Sequence, residues 1–200
     1  MKTAIFGAVA LAALGAQAAQ AQTQVNHGAP LTGVCVYHNE RLLGESAAGQ
    51  SLNTGMQRLL QEVQAELQPY GATIQSEAQR IQQAGEAGDP DGSQRQALQQ
   101  RVQEAQQLEQ TREVELRYTR AQQLNAIATA VDPIIVQIYQ ERGCSILLDR
   151  ESVYVFNPAM DITQTAIERL NAALPSLSFS RQSPPAQAAA GGQPGTVPNP

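Results

Sequence analysis

The sequence predicts an α+β protein, mainly α, in which a long antiparallel helical hairpin stands on a small β-containing base. Three observations predict it. Two long polar stretches carry apolar residues alternately three and four apart, a glycine- and proline-rich break separates them, and short β-type runs flank the pair.

Lys2, the apolar run Ala4–Ala16 and the small-residue pattern Ala19-Gln20-Ala21 predict a cleavable secretory signal over residues 1–21, cut near Ala21. The run is too short for a stable membrane anchor. A lipid-anchored form would need a cysteine at the cleavage point, whereas Cys35 lies well downstream. A soluble mature chain in a Gram-negative periplasm follows. Residues 22–32 lack periodicity and contain Gly28 and Pro30, so they read as a flexible lead-in.

Without Lys2 the chain carries 12 strong cations, all arginine, against 18 acids, a net charge of −6. A general nucleic-acid binder would need a basic stripe, and adsorption to an anionic bilayer needs the same sign of charge. No nucleic-acid partner is expected, and membrane contact is not assigned. With 4 % aromatic residues and no Trp, a large aromatic core is excluded too.

In the base, residues 33–45 open with Val34-Cys35-Val36-Tyr37, a short buried strand. The arm covers 46–142, with its tip at 85–92. Ser46 is the expected N-cap of its first helix. Leu60, Leu67, Ile74 and Ile81 form one seam position and Met56, Val63 and Tyr70 the other, with Glu77 interrupting the row. Gly85, Gly88, Pro90 and Gly92 end that helix, and Ser93 with Gln96 is a capping box for the next. The returning helix should run Gln94–Arg142 and stop at Gly143. Its second half keeps a seam through Ala121, Leu124, Ala128, Val131, Ile135 and Ile138. Leu98, Val102, Ala105 and Leu108 are out of phase with it, so a stutter is expected near 108–114. At 1.5 Å per residue each arm reaches about 60–70 Å. Pro69 and Pro133 should bend the rods.

Residues 143–175 return to the base. Ser145–Asp149 and Ser152–Phe156 read as a β-hairpin, and Asp161 with Gln164 caps a terminal helix whose apolar face is Ile162, Ala166, Ile167 and Leu170. The Pro/Ala/Gly/Gln bias of 176–200 predicts disorder.

This order of parts resembles the Skp/OmpH family of periplasmic chaperones over roughly residues 31–174. GVCVYHNERLLGESAAGQ at 33–50 matches the family's start, and ILLDRESVYVFNPAMDITQTAIERLN at 146–171 matches its end. The resemblance implies a homotrimer whose β-containing bases pack together while three arms surround a cavity. There the family holds unfolded outer-membrane proteins without ATP. This chain departs from familiar basic members in being acidic, so electrostatic capture of clients or lipopolysaccharide is not carried over.

No catalytic constellation is present, and neither an enzyme nor a cofactor is expected. His27 and His38 lack a second ligand at metal spacing, and the Asp89-Pro90-Asp91-Gly92 stretch lacks the later acids of a calcium loop. Cys35 and Cys144 both fall in the base and read either as a disulfide, which an oxidising compartment favours, or as two buried thiols.

On this reading Leu67, Tyr70, Ile74, Ile81, Leu98 and Val102 are the candidates for client contact, each competing with a plain role in the seam. The trimer would close through Val34, Val36, Ile135, Ile138, Ile146, Leu148, Val153 and Val155. A structural or adaptor coiled coil of the cell envelope is the alternative function.

Overall fold

The computed structural model describes residues 25–185, so the expected signal (1–21) and the last part of the chain (186–200) lie outside the described residues. The chain runs through β1 (Val34–Tyr37), α1 (Asn39–Glu45), α2 (Ala47–Gly88), α3 (Ser93–Glu141), β2 (Ile146–Asp149), two 3-10 turns, and α4 (Thr163–Ala173).

The hairpin dominates. Ser46 caps α2 by accepting the Gly49 amide at 3.1 Å, a cap that satisfies one of the orphan amides of the first turn. Pro69 and Pro133 both lie inside continuous helices. The backbone leaves helical geometry at Gly85 (φ 60°, ψ −162°), where only glycine is free of steric penalty. At the other end Gly143 has φ 65°, the left-handed stop expected after α3.

The tip is capped differently from the sequence reading. Gly92, in the left-handed region, occupies the N-cap of α3 and no Ser93 capping box forms. The buried Asp89 carboxylate instead accepts the amides of Gln94 at 2.9 Å and Arg95 at 3.2 Å, while Asp91 accepts the Ser93 amide. Carboxylates thereby sit at the positive end of the helix dipole.

The seam phase also differs from expectation. On α2 the fully buried side chains include Leu52, Leu59 and Val63, while Leu60 is 46 % exposed. On α3 Ile127 and Val131 are buried, whereas Ala121 and Ala128 face solvent. Polar residues take the next places along the seam toward the tip: Glu115, Thr119 and Gln123 are buried. A pattern search for apolar residues misses a seam that is polar for two turns.

Residues 146–156 do not form the expected β-hairpin. β2 pairs parallel with β1, in the register Val34↔Ile146 through Tyr37↔Asp149, and Arg150–Ser152 forms a 3-10 turn. Topology dictates this. The chain rises through β1 and α2, descends through α3, turns at Gly143 and must rise again, so the two strands run the same way. A short bridge joins Val36 to Asp161 on the other edge of β1.

The core sits where base and arm meet. Cys35, Leu42, Leu52, Ile138, Ile162 and Leu170 are all nearly solvent-free within it. α4 supplies the apolar face that was expected of it, with Ala166, Ile167 and Leu170 buried. Asp161 accepts the Thr163 amide at 2.7 Å, but Gln164 bonds to Arg41 and Glu168 rather than closing a capping box. α1 turns sharply into α2 because Gly49 lets the Leu43 carbonyl approach. A Cβ there would lie 1.8 Å from that oxygen.

Candidate functional site

Among the described residues no group of three or more His, Cys, Asp or Glu could hold a metal ion. No helix of the described residues is long and apolar enough to cross a membrane. Cys35 and Cys144 are joined in a disulfide with Cα atoms 5.8 Å apart, next to the paired strands.

The surfaces available for binding lie on the arm and on the base. From Glu66 to Gly88 on α2 and from Ser93 to Val114 on α3 no apolar side chain is fully buried. Leu67, Ile74, Ile81, Leu98 and Val102 are half-covered by the opposite helix, and Tyr70 is 45 % exposed. Tyr70 and Ile74 line an open groove of about 490 Å³ together with Pro69, Ala97, Arg101 and Glu104. Pro69 leaves the α2 backbone one hydrogen bond short beside this groove, which favours a bend there.

The base candidates divide. Val36 and Ile138 are fully enclosed within the single chain, so their assignment to a subunit contact is corrected: Ile138 lies in the core, and Val36 is covered on the opposite face of the sheet, at the floor of a groove. Val34, Ile135, Leu148 and Val153 are half-buried, and Ile146 and Val155 are 53 % and 50 % exposed. Tyr154, which the sequence reading left out, is 96 % exposed. Alternation along the strands puts Val34, Val36, Ile146 and Leu148 on one face of the sheet. Cys35, Tyr37 and Leu147 point the other way, into the core. The first face continues into a groove of about 280 Å³ bordered by Leu31, Leu148, Val153, Val155 and Phe156.

Tyr37 is half-buried, and its hydroxyl donates to Asn39 Oδ1 at 3.3 Å. Burial first, then the charges of Asp132 and Asp149, pushes its phenol up to about 12.

The largest departure from the sequence reading is the segment after α4. Residues 176–185, expected to be disordered, lie as an extended strap over the groove between α2 and α3. The strap starts where the Leu177 amide donates to Ser51 Oγ at 3.1 Å. It ends where Ser183 Oγ donates to Glu115 Oε1 at 2.8 Å. Between them Arg181 bridges Glu66 at 3.0 Å and Glu115 at 3.2 Å, and Arg112 closes the cluster by contacting both acids. The Arg112 hydrogen bond, followed by that of Arg181, holds the Glu66 carboxyl below the usual carboxylate range. The polar seam residues Glu115, Thr119 and Gln123 are buried because the strap covers them.

The pattern of the OmpH-like outer membrane protein family matches residues 33–170. The chain belongs to the OmpH-like family. Its fold is similar to the crystal structure of a candidate outer membrane chaperone (OmpH-like) from Caulobacter crescentus CB15. That match has 32 % identity and a TM-score of 0.74, covering 83 % of this chain and 99 % of the other. No curated protein matches this chain. OmpH-like proteins are non-enzymatic, and this member is not an enzyme.

Proposed function

We propose that this OmpH-like chain is an ATP-independent holdase of the periplasm that assembles as a homotrimer and holds unfolded outer-membrane proteins between its arms. The observation that carries the reading is the unfinished seam of the distal arm. Its two helices, about 63 and 74 Å long at 1.5 Å per residue, leave every apolar residue beyond Glu66 at least partly uncovered. Many weak, spaced apolar contacts suit a holdase, because their sum retains a client while each alone releases readily. An acidic chain holds clients mainly through such contacts.

The base supports assembly. A two-stranded sheet is marginal alone, and among the described residues no strand pairs with the outer edge of β2. Next to it Ser152–Phe156 has β-type sequence and extended geometry at Val153 (φ −123°, ψ 114°) but no strand partner among the described residues. Exposed Ile146, Tyr154 and Val155 give the apolar area that neighbouring copies would cover.

The test is to dilute a urea-denatured outer-membrane barrel into buffer with the purified chain and follow light scattering. Suppression at near-stoichiometric trimer is expected. Aggregation at the uninhibited rate, or a sedimenting species that is only monomer at micromolar concentration, contradicts the proposal.

A further inference from the structure

The strap is built like the client the arm is proposed to hold. From Ser176 to Arg181 its residues alternate, with the serines at 176, 178 and 180 exposed and Leu177, Phe179 and Arg181 turned in. Extended chain with period-two polarity is also the pattern of a transmembrane β-strand.

The hairpin grips this segment largely by its backbone. Ser51 and Thr119 accept the amides of Leu177 and Gln182, at 3.1 and 2.9 Å. Gln123 Nε2 and Arg58 Nη2 donate to the carbonyls of Ser178 and Phe179, at 3.2 and 2.9 Å. Bonds to main-chain atoms read an extended conformation without reading its side chains. Gly55 adds one side-chain site, since a Cβ there would come within 2.4 Å of the Phe179 ring. The groove therefore offers backbone partners in two rows, one aromatic slot, and an acidic end at Glu66 and Glu115.

We propose that the proximal groove between α2 and α3 is a docking site for extended segments of alternating polar and apolar residues. Its own residues 176–183 fill it in the resting chain, and a strand segment of an unfolded barrel replaces them in the loaded one. The inference rests on the holdase reading and adds a defined site and a built-in competitor to it.

The experiment uses the full chain and a fluorescent peptide of residues 175–185 as probe. Wild type should bind it weakly, because its own strap occupies the groove. A chain carrying Phe179→Ser and Arg181→Ser releases the strap and should bind the probe at least about tenfold more tightly, as expected for uncovering an apolar aromatic slot. Adding Gly55→Leu to that chain, with helix content checked by circular dichroism, should abolish the gain. A peptide of the same composition with Leu and Phe made adjacent should bind about tenfold more weakly. A urea-denatured barrel should displace the probe from the strap-released chain. If the two substitutions give no gain in probe binding, the site does not exist. If the barrel is held but leaves the probe in place, the docking inference fails while the holdase reading stands. If the probe binds and no barrel is held, the holdase reading fails and the proposed occupant with it.

Discussion

Cys35 and Cys144 are covalently joined across 109 residues of sequence, so the entire hairpin is a loop closed at its base. Such a long loop gives a bridge its largest effect on the unfolded chain, about 4–5 kcal/mol in the chain-entropy limit. Reduction, or Cys35→Ala with Cys144→Ala, should lower the urea midpoint accordingly. A thiol titration that finds two free thiols in the untreated protein would remove the basis of this prediction.

The corner between α1 and α2 depends on Gly49. Its missing Cβ leaves room for the Leu43 carbonyl, which is backbone and cannot swing away. Gly49→Ala should destabilise the base by about 1–3 kcal/mol, the usual cost of overpacking. Gly44, with open space around it, is the control position at which alanine should be tolerated. Equal melting temperatures for the two variants would contradict the account of the corner.

The strap's ion cluster should respond to acid. Glu66 is held below its ordinary value in the fold, chiefly by Arg112 and then by Arg181. The folded state thus binds fewer protons than the unfolded one, and the contribution is full above the ordinary carboxylate range. It fades as pH falls through about 4.5 and is gone below the depressed value. The difference in urea midpoint between wild type and Glu66→Gln should follow that course. A difference that persists unchanged at pH 3 would show that the charge is not its source.

At the alkaline end the sign reverses. Tyr37 keeps its proton in the fold up to about 12, so the folded chain binds more protons than the unfolded chain above pH 10 and stability falls between the two values. An ultraviolet titration should show one of the five tyrosines ionising late, and Tyr37→Phe should remove that step. Late ionisation retained in the variant would place it elsewhere.

Much of this fold was legible because helices announce themselves by period and punctuation. Ser46, Gly85 and Gly143 mark their boundaries through cap and left-handed chemistry that a sequence displays directly. The phase of the seam was not legible, because Leu59 and Leu60 are equivalent by composition and only packing against α3 and the strap separates them. Glu115, Thr119 and Gln123 are buried polar residues whose partners lie more than 50 positions away in sequence. Local pattern carries no trace of such partners. The strap itself was hidden by its Ser- and Pro-rich composition. The alternation of Ser176 to Arg181 was the available signal, outweighed by the low-complexity stretch that follows. Parallel pairing of β1 and β2 could have been reasoned from the two long arm helices between them, since α2 leaves the base, α3 returns to it and the next strand must leave again. The turn-like Asp149–Ser152 suggested a hairpin instead.

The arm as a client cradle and the base as a subunit contact make opposite demands on two exposed tyrosines, Tyr70 and Tyr154. A photo-crosslinking amino acid placed at each position, in separate chains mixed with a denatured barrel, tests both demands together. Position 70 should capture the barrel and position 154 should capture a second copy of the chain. A barrel captured only at 154, with position 70 left unreacted, would contradict the account.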